Sequence, residues 1–190
     1  MAFYDLTAKE RIALTERAME EKRTVHERWN ALDVEEAGPW KPRSAVAAKL
    51  LDGVSSVADF GCGTMALESY LGREIAYFPI DVVRRDARTL VCDLNIQPPP
   101  KSGAEAAVCL GILEYVLQPE EFIAHLKGDY SKCVISYNVN TSAGSTEQRR
   151  SDAWVNDLTR AQIEDMFMRS GWRIHHSQQL DENQIIWLLC

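Results

Sequence analysis

"VADFGCGTM", residues 57–65, carries an apolar run into a turn with glycine at 61 and 63 and an aspartate at 59. The stretch that follows, "ALESYL", has helical composition. We read 54–60 as a first core strand, 61–63 as the turn and 64–71 as a helix. Glycine lets the backbone take conformations a side chain forbids and lets a ligand approach closely. In an open α/β sheet ligands gather beyond the carboxyl ends of the strands, where this turn lies.

Outward from that point the chain repeats one pattern. Short apolar runs, "EIAYFPI", "TLVC", "AAVCLGIL" and "KCVISY", alternate with helix-like stretches at 119–127 and 159–170. Buried runs alternating with helices imply a parallel sheet covered on its faces. "WRIHHSQQL" and "NQIIWLLC" flank Asp181-Glu182-Asn183 and predict a closing hairpin. Upstream, Thr7 and Glu10 form a capping box. Leu14, Ala18, Val25, Trp29 and Leu32 then make a stripe at helical spacing. "EEAGPWKP" breaks that stripe, and 44–51 predicts a second helix. The expected fold is α/β: a Rossmann-like, mostly parallel sheet with helices on both faces and an antiparallel C-terminal strand. Residues 1–52 form a helical extension packed on a domain spanning 53–190. One flank of the sheet is expected to be thinly covered. Only "VVRRDA" separates the second and third strands, and "NIQPPPKSGAE" is too proline-rich for a full helix.

Composition narrows the function. The 190 residues hold 21 Lys and Arg against 28 Asp and Glu, a net charge of −7. Such a field repels polyanions, so nucleic acid is not expected as a partner. Arg84, Arg85 and Arg88, and Arg149 with Arg150, read as solvated surface charge, or else as a local basic spot with room for a phosphorylated or nucleotide-linked acceptor. The five cysteines are scattered, three of them within apolar runs, which predicts reduced thiols and not a disulfide frame or zinc site. The N-terminus lacks an apolar leader pattern and no run reaches membrane-spanning length, so the expected location is cytoplasmic. His26, His125, His175 and His176 show no metal-ligand spacing. No serine-nucleophile elbow or phosphate-loop motif occurs.

Two ligand classes fit the glycine turn. Gly61, Gly63 and Ala66 match G-x-G-x-x-A, and Asp81 lies 20 residues after Gly61 at the end of the next strand, which suits a dinucleotide. The carboxylates discriminate. Asp59, Asp81 and Asp93 each close a successive strand and converge on one crevice. A pyrophosphate opposes three carboxylates, whereas a ligand bearing an ammonium and a sulfonium is attracted to them. Charge therefore favours S-adenosylmethionine over a nicotinamide dinucleotide.

With these residues placed, 40–190 resembles a class I S-adenosylmethionine-dependent methyltransferase. "VADFGCGTM" is similar to that family's first motif, which implies that Asp59 and the Gly61–Gly63 backbone hold the methionine moiety. "FPIDVV" puts Asp81 where the ribose hydroxyls are bound. "VCDLN" puts Asp93 and Leu94 where adenine is gripped. "AAVCLGILEYVLQPEEFIAHL" resembles the fourth strand and following helix. Met65 departs from the pattern, standing where a third glycine often follows; a Met already in the helix's first turn alters packing without losing binding.

Methyl transfer is an in-line displacement that positioning and water exclusion largely accelerate. Glu114, past the fourth strand, is the candidate proton acceptor, with a surface or helix-start carboxylate as the alternative. Asn138 and Asn140 follow the fifth strand as candidate substrate contacts or turn residues. The polar stretch 139–157 reads as a lid or substrate loop, with Asn156 or Asp157 capping the last helix. The acceptor expected is a small-molecule or glycan hydroxyl. A methyltransferase-like scaffold without catalysis, and a nicotinamide-dependent dehydrogenase, are the competing readings.

Overall fold

The computed structural model describes residues 3–30, 32, 38, 40–141 and 145–190. Seven strands form one sheet: β1 (Ser56–Phe60), β2 (Ala76–Asp81), β3 (Leu90–Val91), β4 (Ala106–Leu110), β5 (Lys132–Asn138), β6 (Ile174–Gln179) and β7 (Gln184–Leu189), in the order β3-β2-β1-β4-β5-β7-β6. The first five run parallel, and β7 pairs antiparallel with both β5 and β6. The chain order reverses between β1 and β4. That switch point opens a crevice at the carboxyl ends of the strands.

Both sheet faces are covered. On one, α4 (Pro119–Asp129) and α6 (Arg160–Arg169) bury Phe122, Ile123, Leu126, Ile163 and Phe167 against Phe60, Cys109, Ile135 and Trp187. On the other, α3 (Lys41–Leu50) and a 3-10 turn over Ala66–Tyr70 bury Ala47, Leu51 and Leu67 against Val57, Val108 and Val134. No helix joins β2 to β3, and none follows β3 before β4, as the short and proline-rich connections predict.

The N-terminal stripe is broken, not continuous. Helix α1 (Ala8–Glu20) starts at the Thr7–Glu10 capping box and ends before Lys22, whose φ is 53°. A four-residue helix, α2 (His26–Trp29), follows. Leu32 is described, but its neighbours at 31 and 33–37 lie outside the described residues. Phe3, Ala18 and Val25 pack with Ala153 in a small separate core.

Within the stretch 139–157, the described residues 145–157 are built in. They contain α5 (Thr146–Ser151), which packs under α1. Arg11 Nε donates to the Ser151 carbonyl at 2.9 Å, and Thr15 Oγ1 donates to the Arg150 carbonyl at 2.8 Å. Of the arginines read as solvated, Arg84 and Arg88 are exposed, whereas Arg85, Arg149 and Arg150 are engaged. Arg149 is buried, and Arg149 and Arg150 both pair with Asp157. Residues 142–144 lie outside the described residues. The last helix is capped by Thr159, whose side chain accepts from the Gln162 amide, and not by Asn156 or Asp157. Asn156 instead donates to the carbonyls of Leu113 and Val116.

All five cysteines are free, with Cys62, Cys92, Cys109 and Cys133 buried.

Candidate functional site

The opening motif turns by three left-handed residues. Gly61, Gly63 and Met65 have φ of 70°, 52° and 56°. The Gly61 and Cys62 amides both donate to the Ile80 carbonyl, at 2.8 and 3.1 Å, which clips the turn to the end of β2. Met65 is therefore not in the first turn of a helix. It stands in a conformation that side chains disfavour, and the helix expected over 64–71 shrinks to the five-residue 3-10 turn after it.

This turn floors a cavity of about 310 Å³. Its lining includes Asp59, Gly61, Gly63, Asp81, Leu94, Glu114 and Asn138, so seven of the eight sequence-derived candidates meet at one place. The eighth, Asp93, is not part of the lining. Its carboxylate accepts from the Thr24 amide at 3.1 Å, the Thr24 hydroxyl at 2.7 Å and the Asn95 amide at 3.0 Å, with His26 Nε2 at 3.2 Å. It thereby fastens the N-terminal segment over the sheet edge.

The two lining aspartates differ. Asp81 accepts from the Gly63 amide at 2.8 Å on one oxygen, and from the Val83 amide and Arg85 on the other. Asp59 is 3% exposed and accepts from the Tyr77 hydroxyl at 2.6 Å. Burial pushes its carboxyl up to about 7, a shift that Tyr77 opposes and the Asp81 charge reinforces.

Arg43, on α3, reaches the same cavity and had no signal in the sequence beyond a basic residue in a helix leading to the first strand. Gly111, with φ of 64°, makes room for it: a Cβ there would lie 2.5 Å from an Arg43 Nη atom. Its Nε is buried without a hydrogen-bond partner, and it forms no ion pair among the described residues. Burial pulls its basicity down, and Glu114 is the first charge opposing that. A cavity-facing cation of this kind favours an anionic ligand group.

Glu114 is 1% exposed, so it is no surface carboxylate. Its Oε1 accepts from the backbone amide and the side-chain amide of Asn138, both at 2.9 Å. Its Oε2 is buried with no hydrogen-bond partner among the described residues. Asn140 is not in the lining; its amide donates to the Leu158 carbonyl at 2.8 Å. Above the floor the walls are aromatic: Trp29, Trp40, Tyr115 and Trp154 line the cavity.

No family model matches the chain, and no curated protein matches it in sequence. Solved structures do. The Burkholderia thailandensis 1,6-didemethyltoxoflavin-N1-methyltransferase, with bound 1,6-didemethyltoxoflavin and S-adenosylhomocysteine, superposes with a TM-score of 0.67 at 13% identity, covering 97% of this chain and 90% of that one. CalO1, a methyltransferase in calicheamicin biosynthesis with bound S-adenosylhomocysteine, gives 0.59 at 15% identity over 80% of this chain and 54% of its own. The [4+2]-cyclase SpnF gives 0.58 at 17% identity, over 75% and 60%. The chain thus spans less than two thirds of the length of the last two. The fold is that of the class I S-adenosylmethionine-dependent methyltransferases, and SpnF shows that this fold also carries other chemistry.

Proposed function

We propose that the protein binds S-adenosylmethionine and transfers its methyl group to a hydroxyl of a small-molecule or glycan acceptor. The observation that carries this reading is the convergence of Asp59, Asp81 and the 61–63 backbone around one cavity with Arg43, whose Nε has no hydrogen-bond partner among the described residues. In this assignment Asp81 receives the ribose hydroxyls and Leu94 packs on adenine, with Asp93 fixing the strand end beside it. Asp59 and the Gly61–Gly63 backbone take the methionine ammonium side, and Arg43 the carboxylate. When bound, the cofactor supplies an electrophilic methyl group whose leaving group is a neutral thioether. Glu114 and Asn138 lie on the acceptor side, Glu114 as proton acceptor and Asn138 as the residue that orients it.

An open, partly polar cavity beside Asn138 supports an enzyme over a scaffold, whose pocket would be filled. No helix among the described residues is long and apolar enough to cross a membrane. We further propose a cytoplasmic location, on the free buried cysteines, and no nucleic-acid partner, on the acidic balance.

Titration calorimetry with S-adenosylhomocysteine on wild type and Asp81→Ala tests the cofactor assignment. Loss of a charged acceptor should weaken binding by about 1.5–3 kcal/mol. Equal affinity in a folded variant contradicts it.

A further inference from the structure

Glu114 Oε2 is buried with no hydrogen-bond partner among the described residues, and Glu114 lines the cavity. Its partner oxygen is fixed twice by Asn138, so the carboxylate is held in one orientation. An unsatisfied buried carboxylate oxygen is costly, and a ligand donor relieves that cost.

Aromatic rings line the same cavity as Glu114, with guanidinium groups over two of them: Arg28 lies 4.9 Å from the Trp29 centroid and Arg43 5.8 Å from that of Trp40. Tyr115 follows Glu114 directly and lies edge-on to Trp29, with ring centroids 4.9 Å apart. Trp154 Nε1 donates to the Tyr115 hydroxyl at 3.0 Å, and Arg149 stacks on the Trp154 ring with 4.6 Å to its centroid. Trp40 stands tilted to Trp29 at 6.3 Å. Three of the protein's five tryptophans therefore wall the same space. Aromatic walls held by such contacts favour a planar π-system, packed face or edge against them.

We infer that this chamber takes a hydroxyarene or hydroxy-heteroarene, an aromatic ring bearing a hydroxyl, whose O–H donates to Glu114 Oε2. The inference rests on the methyl-transfer reading and narrows its acceptor. Ring hydroxyls are far more acidic than aliphatic alcohols, and a carboxylate accepts protons from the former much more readily. The acceptor oxygen's lone pair bonds to the methyl carbon as the carbon–sulfur bond breaks toward sulfur. The hydroxyl proton passes to Glu114 Oε2. The sulfonium charge and the carboxylate charge are both cancelled, leaving the aryl methyl ether and S-adenosylhomocysteine.

The test is binding, read by calorimetry with and without saturating S-adenosylhomocysteine. The probes are 2-naphthol, 2-methoxynaphthalene, decahydro-2-naphthol, methyl β-glucoside and 2-(aminomethyl)naphthalene. The expected result is that 2-naphthol binds at least ten-fold more tightly than each of the others. Glu114→Gln, which keeps the Oε1 acceptor, should remove that advantage while holding S-adenosylhomocysteine affinity within three-fold. Trp29→Leu should weaken 2-naphthol at least five-fold by a route independent of Glu114. Tighter binding of the glucoside, of the saturated alcohol or of the cationic amine overturns the inference, as does an unchanged 2-naphthol affinity in both variants. Failure of S-adenosylhomocysteine to bind wild type overturns the cofactor reading instead, and the titrations without it still decide the chamber.

Discussion

The Tyr77 hydroxyl donates to Asp59 Oδ2 at 2.6 Å, so a carboxylate at the carboxyl end of β1 is held by a side chain from the neighbouring strand. The bond lowers the cost of ionising Asp59, but burial outweighs it and leaves the carboxyl near pH 7. Folded Asp59 therefore binds a proton that an unfolded aspartate, titrating near 3.8, has already released. Its stabilisation is fully present below about pH 4 and is lost as pH rises toward 7.

A ligand ammonium beside Asp59 reverses this preference, since it favours the ionised form. Binding of S-adenosylhomocysteine below pH 7 should then release a proton, and affinity should rise with pH and level off above about 7. Calorimetry in buffers of different ionisation enthalpy reads the released proton directly. Tyr77→Phe should push the levelling point higher. Asp59→Asn should abolish both the proton release and the pH slope; a slope that survives it assigns the ammonium site elsewhere.

Met65 holds φ of 56° where a glycine would have no side-chain penalty. The left-handed conformation costs a non-glycine residue about 1–2 kcal/mol, against roughly 0.5–1 kcal/mol of extra unfolded-state entropy for glycine. The Met65 side chain is only partly buried, and its sulfur lies 3.9 Å from an Arg88 nitrogen. Met65→Gly should therefore stabilise the protein by up to about 1 kcal/mol, read as a higher urea midpoint at unchanged slope. Marked destabilisation would show that the side chain contributes packing that outweighs the strain.

Arg149 is the hub of the α5 region. It donates to the Tyr137 hydroxyl at 2.7 Å, the Asn138 carbonyl at 3.0 Å and the Asn156 carbonyl at 3.1 Å. Arg149→Met removes these donors and leaves buried acceptors unmatched, so a loss of about 2–4 kcal/mol is expected. Because Asn138 positions Glu114, the same variant should weaken acceptor binding more than cofactor binding. Chemical denaturation and paired titrations measure the two effects; full stability in the variant would make α5 a free loop after all.

What could be read from the sequence followed from what is local. Asp59, Asp81 and the 61–63 glycines sit at strand ends, and strand ends are visible as apolar runs meeting polar residues. The short β2–β3 connection was legible for the same reason. The side-chain direction of Asp93 was not, because Thr24 and His26 reach it from nearly 70 residues away. Arg43 had no local mark either: its place in the cavity depends on Gly111, where a Cβ would meet its guanidinium. The helix over 64–71 failed on one dihedral. Met65 has favourable helix propensity, yet clipping the turn to Ile80 places it left-handed. Tertiary closure overrode propensity there.

Thermal melting with and without cofactor is the most direct test of the central claim. A ligand selective for the folded state adds about 2.7 kcal/mol at a hundred times its dissociation constant. For a domain of this size that raises the midpoint by roughly 5–10 °C. Saturating S-adenosylmethionine or S-adenosylhomocysteine should produce that shift, and NAD or NADP should leave the midpoint within a degree or so. A shift with a nicotinamide dinucleotide alone, or none with either S-adenosyl compound, would contradict the account.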